Sequence, residues 1–426
     1  RTVCFISCLP CVAPALPATV MPNALVLAID RLGSGYLGPY GNTWIETPAW
    51  NQLAARSLLV ESALSDSADL TTLYHSYWQG RHAWSARHAQ DTPELAARLA
   101  SHHVEPWLVT DDPVVAQHGA AAGFCERVIL PVGEEREAAS VEQTQLARLF
   151  ATAIDVLEQA RPPFLIWVHA QAMQGPWDAP YDLRCRFMED EDPAPPRSAT
   201  PPECWLDPDY DPDELLGFQH AYAGQVSLLD TCLGILLDAL WSSAAGAETA
   251  LLATGTRGYP LGEHRYVGRS ERPLHAELVQ VPWLLYCPEG AGAAWRAHQI
   301  VQPPDLFPTL LEWFDVAAPD APLWGRSALP HRLEHEARTA REQAGIVDGG
   351  ERALRVPAWY LRQESTGQPH MYAKPDDRWE FNEISDLCQE VANQLAETLA
   401  QFEAAARADD RPRLAALPDV LREGLE

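Results

Sequence analysis

The chain is short of positive charge. It carries 31 Lys and Arg residues against 59 Asp and Glu residues, which gives a formal net charge of −28 over 426 residues. No basic stripe balances these acids, so the composition argues against a nucleic-acid partner and for a soluble, self-repelling surface. Because the overall charge repels anions, any anionic ligand would need a local basic pocket.

Long apolar runs and paired cysteines are also missing. No run reaches the roughly 18 apolar residues of a transmembrane helix, so we expect no transmembrane segment. The nine cysteines show neither zinc-site spacing nor a disulfide framework, and buried free thiols in a reducing compartment are the simpler interpretation. This pattern favours a cytoplasmic location.

Residues 1–20 form an atypical N-terminal extension. They combine one basic residue, an apolar run and a small-residue end, as a signal peptide does, but they contain several prolines and no initiating Met. Met21 is a more natural start. Two interpretations stay open: an upstream or misassigned extension, and a truncated secretion signal, which would make the protein secreted or periplasmic.

What is present is an α/β pattern. Six apolar residues at 24–29 predict a buried strand of a parallel sheet. Asp30 follows at the carboxyl end of that strand, the edge where such sheets gather ligands. A loop rich in Ser and Asp then runs into a helix, whose start can hold an anion. The length suits one large α/β domain with a smaller appendage.

Several segments resemble the sulfatase family of the alkaline phosphatase superfamily. The resemblance covers roughly residues 22–405 and implies a mainly parallel central sheet flanked by helices, plus a small C-terminal α+β subdomain. The implied boundaries are 22–330 for the large domain, 331–351 for a linker, 352–405 for the subdomain and 406–426 for a tail. The segments that carry it are the strand ending in Asp30, LGPYG, TPAWNQLAARSLLVESA, QGR at 79–81, and HAYAGQVSLLDTCLGILLDAL.

The resemblance also implies a nucleophile that this chain lacks. In the family, a Cys-x-Pro-Ser-Arg motif supplies a Cys that is converted to formylglycine. A register without gaps back from Gly80 and Arg81 puts Leu70 at that position, and its alkyl side chain offers nothing to oxidise. Thr71 and Thr72 stay open as alternative nucleophiles, although a Thr at a helix start is more often a cap.

The same register removes most of the metal site that the family implies. Family members bind a divalent metal such as Ca²⁺ through acids at the ends of the first strand and of a later one. Here only Asp30 remains, because Arg31 replaces the second acid of the first strand. At the end of the later strand, Thr256 and Arg257 stand in place of an Asp-His or Asp-Asn pair. A hard cation needs about six oxygen ligands, so the set expected for Ca²⁺ is incomplete.

Residues that hold the sulfate group in the family differ as well. Asp111 and Asp112 stand where many members carry a Lys and a His, and two carboxylates would repel a sulfate ester. Gln174 stands in place of a His that donates to the sulfate. His169 remains on an apolar strand, where a hydrogen-bonded core residue is the simpler interpretation.

A metal-free anion site is an alternative that the arginines suggest. Arg31, Arg81 and Arg257 would replace the metal and hold an anion by charge-assisted hydrogen bonds, with Gln174 and His169 as further candidates. Such a site favours binding over turnover.

These substitutions predict a sulfatase-like protein that has lost the sulfatase mechanism. Its expected partner is a sulfated or other anionic small molecule, or a protein such as an active sulfatase relative. Two alternatives stay open: an active sulfuric or phosphoric ester hydrolase with a rebuilt site, and a structural or assembly subunit without a ligand. Fold resemblance does not choose among them, because function resides in the site.

Overall fold

A large mixed sheet and a small antiparallel sheet organise the chain. The computed structural model describes residues 22–86, 94–133, 135–269, 273–320, 323–335 and 341–425, so the extension at 1–20 lies outside the described residues. The strands are β1 (Asn23–Ile29), β2 (Ser57–Ala63), β3 (Glu105–Thr110), β4 (Glu126–Ile129), β5 (Phe164–Ala170), β6 (Cys204–Trp205), β7 (Thr249–Gly255), β8 (Tyr266–Val267), β9 (Trp283–Tyr286), β10 (Trp295–Val301), β11 (Ala344–Asp348), β12 (Glu351–Val356), β13 (Trp359–Gln363) and β14 (Pro369–Ala373). The helices are α1 (Pro48–Ala54), α2 (Leu70–Gln79), α3 (Leu95–Ser101), α4 (Pro113–Gln117), α5 (Gln145–Gln159), α6 (Tyr181–Arg184), α7 (Pro212–Ser242), α8 (Ala276–Val279), α9 (Leu306–Trp313), α10 (Pro330–His335), α11 (Gln389–Arg407) and α12 (Asp419–Glu423).

The large sheet is mainly parallel. Its eight strands lie in the order β10-β2-β9-β7-β1-β5-β3-β4. Strand β9 runs antiparallel to its neighbours β2 and β7, and the other adjacent pairs are parallel. The prediction of a mainly parallel central sheet is confirmed.

Strand β1 lies near the middle of this sheet and contributes to two cores. Successive side chains point to opposite faces of a strand. Leu25, Leu27 and Ile29 therefore join the core formed with α1, α5 and α7. Ala24 and Val26 join the core formed with α2, α3, α4 and α9 on the other face. Because helices cover both faces, the strand needs a continuous apolar sequence.

Helix α7 is the longest element of the described chain and packs against the sheet. Among the described residues it alone has the length and apolar composition to cross a membrane, and 72% of that stretch is buried inside the protein. It packs against α1, α5 and α6. Its apolar residues are therefore used in the core, as expected for a helix buried between a sheet and other helices.

The small sheet is an antiparallel meander of β11, β12, β13 and β14. Helix α11 packs against it and shares its core. Two features extend this unit beyond the predicted 352–405. Strand β11 lies in the segment assigned to a linker, and Leu417 and Leu421 of the assigned tail are buried in the same core. The sequence of β11, AGIVD, does not alternate between apolar and polar residues, so a period-2 pattern does not identify it.

Candidate functional site

The site is built where four parallel strands end. Asp30 follows β1, Thr256 follows β7, and a loop after β5 carries Gln174. Asp111 follows β3 at the same edge. Ile29 pairs with Gly255 in the parallel register, so Asp30 and Thr256 leave the sheet side by side. This edge is where open α/β sheets place their functional groups.

A bidentate ion pair occupies the carboxyl end of β1. Asp30 and Arg257 are both buried, and Arg257 donates from Nε to Asp30 Oδ1 and from Nη2 to Asp30 Oδ2, each at 3.0 Å. The Thr256 hydroxyl donates to Oδ1 at 2.6 Å, and the Arg31 backbone N–H donates to the same oxygen at 3.0 Å. Both carboxylate oxygens are thus engaged by hydrogen-bond donors, and parallel bonds of this kind are among the strongest in proteins.

The charge of Asp30 is fixed by its surroundings. Burial alone would raise the pKa of this carboxyl, but the guanidinium of Arg257, helped by Arg31, outweighs burial and lowers the pKa to about 2. The remaining Nη1 of Arg257 donates to the carbonyl of Ala68 at 2.5 Å. The guanidinium therefore joins the end of β7 to the segment just before α2.

The divalent cation implied by the family does not fit these residues. Such an ion needs about six oxygen ligands, several of them carboxylates. Both oxygens of Asp30 face the Arg257 guanidinium instead. Across the described ranges, no group of three or more His, Cys, Asp or Glu side chains is placed to hold a metal ion. Arg257 thus supplies the positive charge that a cation would otherwise bring to Asp30.

Arg31 and Gln174, two of the predicted anion-binding residues, bind each other. Arg31 Nε donates to Gln174 Oε1 at 3.1 Å, and its Nη1 lies 3.5 Å from the carbonyl of Gly258. Arg31 is buried and has a φ of 61°, a left-handed conformation that costs a non-glycine residue free energy. The Tyr222 hydroxyl donates to the Arg31 carbonyl at 2.9 Å and helps to hold that conformation.

Arg81 lies away from the sheet edge and pairs with Asp409. Its Nη1 lies 3.1 Å from Oδ2 of Asp409, and both side chains are buried. Asp409 follows α11, so this ion pair joins the end of α2 to the C-terminal unit. The three arginines of the predicted anion site are therefore divided: Arg31 and Arg257 lie at the sheet edge, and Arg81 holds the two units together.

His169 is hydrogen-bonded within the core. Its Nδ1 lies 2.6 Å from the Tyr74 hydroxyl, and its Nε2 lies 3.8 Å from Oδ2 of Asp112. Trp167 Nε1 also donates to the Tyr74 hydroxyl, at 3.3 Å. Tyr74 belongs to α2, so this group ties α2 to β5. Tyr74 was not among the site residues predicted from the sequence, although its spacing of four residues from Leu70 on one helix places both on the same face.

The start of α2 is a capped helix terminus. Leu70 is the first residue of the helix, and its side chain is buried. Asp69 caps the helix, because its Oδ1 accepts from the Thr72 backbone N–H at 2.8 Å and from the Thr72 hydroxyl at 2.7 Å. Thr71 is exposed. Of the two candidate nucleophiles, Thr72 is therefore part of the cap and Thr71 faces outward.

The two acids that replace the cationic pair of the family have structural contacts. Asp112 caps α4 by accepting from the backbone N–H groups of Val114 at 2.7 Å and Val115 at 3.2 Å. Asp111 Oδ1 accepts from the backbone N–H of Gln171 at 2.9 Å. Burial raises the pKa of Asp111. Both acids therefore stabilise the strand end, and neither adds the positive charge that a sulfate pocket requires.

Sequence comparisons agree with this architecture. A family model described as sulfatase matches residues 22–316. The multifunctional alkaline phosphatase superfamily protein PehA of Trinickia caryophylli is 30% identical over 128 residues, which are 29% of this chain and 24% of that protein. The chain thus matches about a quarter of the length of this curated relative.

Solved structures with the same fold cover nearly the whole chain. The phosphonate monoester hydrolase of Agrobacterium radiobacter superposes with a TM-score of 0.76 at 18% identity, covering 90% of this chain and 96% of that one. A 2-O GAG sulfatase superposes with a TM-score of 0.73 at 17% identity, covering 94% and 96%. The phosphonate monoester hydrolase of Silicibacter pomeroyi gives 0.72 at 16% identity, with coverage of 90% and 96%. At these identities the likeness shows the fold alone.

Proposed function

This chain belongs to the sulfatase family, and we propose that it is a member that has lost the hydrolytic activity of the family and acts by binding. The observation that carries the proposal is the ion pair between Asp30 and Arg257, in which a guanidinium takes both carboxylate oxygens. Leu70 at the position of the oxidised Cys supports it independently.

The physical reason lies in the charge of the substrate. A sulfate ester carries negative charge on its nonbridging oxygens, so nucleophilic attack requires a metal ion or cationic donors that neutralise this charge in the transition state. The cations nearest to Asp30 already have partners: Arg257 pairs with Asp30, and Arg31 bonds Gln174. On this proposal both requirements are lost: Leu70 stands at the position of the nucleophile, and the Arg257 guanidinium stands at the position of the metal ion.

Binding is the role that such a fold retains. The expected ligand is a sulfated or other anionic small molecule, and the expected alternative is a protein partner such as an active sulfatase relative. One contact favours a second candidate, an ester hydrolase with a rebuilt site: the Thr72 hydroxyl lies 2.7 Å from a carboxylate oxygen of Asp69. A hydroxyl next to a base is the minimum requirement for a nucleophile.

Hydrolysis assays separate the two candidates. Purified protein is tested with 4-nitrophenyl sulfate, 4-nitrophenyl phosphate, bis(4-nitrophenyl) phosphate and a phenylphosphonate monoester, each with Ca²⁺, Mg²⁺, Mn²⁺ or Zn²⁺. We expect no turnover that differs among the wild type, Asp30→Ala, Thr71→Ala and Thr72→Ala. Turnover that any of these substitutions abolishes would show an active site and overturn the proposal. The variants also identify a contaminating hydrolase, because its rate would not change.

A further inference from the structure

A pocket of about 280 Å³ lies between the large domain and the C-terminal unit. One wall comes from the end of β2, from α8 and from Arg296 in β10. The other wall comes from Arg355 in β12, Tyr360 in β13 and the segment 374–380 after β14. Asp30 and its partners are not part of this lining, so the pocket is separate from the sheet edge described above.

The lining concentrates positive charge in an acidic protein. Four cationic side chains and two carboxylates line the pocket, which leaves a local excess of two positive charges, whereas the whole chain has a formal net charge of −28. A confined cationic wall of this kind attracts anions more strongly than scattered surface lysines. The six side chains are Arg296, Arg355, Lys374, Arg378, Glu61 and Glu380.

Two of the cations are paired with the two acids. Lys374 Nζ lies 3.0 Å from Glu380 Oε1, and the other oxygen of Glu380 accepts from the Ala276 backbone N–H at 3.1 Å. Arg296 Nη1 lies 3.1 Å from Glu61 Oε1. The carboxylates therefore have counter-charges of their own, and their repulsion of an anion is reduced.

The other two cations form no ion pair among the described residues: both bond backbone carbonyls, and Arg378 also lies over the ring of Trp379, 5.0 Å from its centroid. Arg355 Nη1 donates to the carbonyls of Pro357 at 3.0 Å and Trp359 at 3.2 Å. Arg378 Nη2 lies 3.3 Å from the carbonyl of Tyr40. A guanidinium has five N–H donors in a rigid fork, so both side chains keep N–H donors for a ligand. Glu380 also attracts the Arg355 guanidinium, but that carboxylate is bonded to Lys374.

We propose that this pocket binds a small molecule that carries one sulfate or phosphate ester group, with Arg355 and Arg378 holding the oxyanion. Arginine forks match the geometry of such oxyanions. Leu64, Val279 and Tyr360 supply the apolar part of the wall, which suits an aromatic or aliphatic body. The volume is at the low end for ligand sites, so the ligand is small. This inference does not depend on whether the sheet edge hydrolyses esters.

Isothermal titration calorimetry of the full chain with phenyl sulfate and with phenyl phosphate tests the proposal. We expect saturable binding of at least one of them, weakened about tenfold or more in Arg378→Gln because a charge-assisted contact is lost. Arg355→Gln should also weaken the binding of that ligand. The matched control is Arg197→Gln, since Arg197 is an exposed arginine that pairs with Glu137 and does not line the pocket.

Arg378 is exposed, so Arg378→Gln is expected to fold, and thermal unfolding verifies this. A change in binding can then be distinguished from a loss of folding. A lower affinity in Arg378→Gln, with an unchanged affinity in Arg197→Gln, supports the site. The titrations with phenyl sulfate and phenyl phosphate show which ester the pocket prefers. Absence of saturable binding of both esters overturns the proposal. Equal weakening in Arg378→Gln and Arg197→Gln also overturns it, because that result would indicate general electrostatic attraction.

Discussion

At the scale of single residues, Arg257 determines whether Asp30 is a stabilising or a destabilising group. Asp30 is fully buried, so loss of the guanidinium leaves a buried carboxylate without its bidentate partner, and the attraction of Arg31 compensates for only part of this loss. Arg257→Ala is therefore expected to reduce the free energy of unfolding by about 3–5 kcal/mol. Urea denaturation measures this change. The control is Arg197→Ala: Arg197 is exposed, pairs with Glu137 and lies over the ring of Tyr181, so its loss should cost no more than about 1 kcal/mol.

A second variant makes this result specific to the ion pair. Asp30→Asn combined with Arg257→Ala removes both charges, so part of the lost stability should return relative to Arg257→Ala alone. If Arg257→Ala were as stable as the Arg197→Ala control, Asp30 would have another counter-charge, and the assignment of Arg257 as its partner would be wrong.

Asp66 gives a prediction about pH. It is fully buried, and its Oδ2 accepts from the Ser76 hydroxyl at 2.6 Å and from the Ala83 backbone N–H at 3.0 Å. Burial raises its pKa from 3.8 to about 7, although these hydrogen bonds oppose the change. The folded state therefore binds the proton more tightly than the unfolded state. The resulting stabilisation is complete below the unfolded pKa and is lost as the pH rises through about 7.

The comparison with Asp66→Asn isolates this effect. The unfolding free energy of the wild type minus that of Asp66→Asn should fall between about pH 4 and about pH 7, by at most about 1.4 kcal/mol per pH unit. Denaturation curves at several pH values measure the difference. A difference that stays constant over this range would show that the pKa of Asp66 is not raised by folding.

At the scale of elements, the start of α2 is stabilised by a side-chain cap. Asp69 caps this helix through the backbone N–H of Thr72. We expect Asp69→Ala to cost about 1 kcal/mol of stability. Thr71→Ala is the control, since Thr71 is exposed, and it should change the free energy by less than about 0.5 kcal/mol. Equal losses in both variants in thermal or urea unfolding would contradict the capping assignment.

The elements that the sequence predicts well are those with a strong local pattern. The strand after Asn23 has six consecutive apolar residues, and the long helix that ends at Ser242 has apolar residues at helical spacing; the structure has both. Strand β11 has the sequence AGIVD, which does not alternate between apolar and polar residues, so no period-2 pattern identifies it. Local signals also place Asp30, Arg31 and Arg257 at one sheet edge, because each follows the end of a strand.

The sequence did not predict which carboxylate each arginine of the candidate site contacts. Arg81 pairs with Asp409, which lies 328 residues away. Arg81 was grouped with Arg31 and Arg257 because it lies in the family-like QGR segment, whereas the other two stand at positions where the family has metal ligands. Which carboxylate a guanidinium contacts depends on the packing of distant segments, and a single sequence contains no direct record of that packing.

At the scale of the whole molecule, the fold of the family is combined with a buried Asp–Arg ion pair at the sheet edge. The chain keeps the central sheet, the flanking helices and the C-terminal unit of a sulfatase. Buried contacts join the two units, including the ion pair between Arg81 and Asp409 and a hydrogen bond from the Tyr360 hydroxyl to the Leu274 carbonyl. Such contacts are independent of the sheet edge, where the Arg257 guanidinium is the ion-pair partner of Asp30.

Calcium titration tests most directly whether Arg257, and not a metal ion, is the counter-charge of Asp30. Protein freed of metal by a chelator is titrated with Ca²⁺ by calorimetry, and its thermal unfolding is recorded with and without the ion. Ca²⁺ that binds only the folded state would raise the melting temperature. Weak binding to the acidic surface would affect the wild type and Asp30→Asn equally. We predict the same heats and the same small change in melting temperature for both proteins. One tightly bound Ca²⁺ per chain in the wild type, absent from Asp30→Asn, would contradict the replacement of the metal by Arg257.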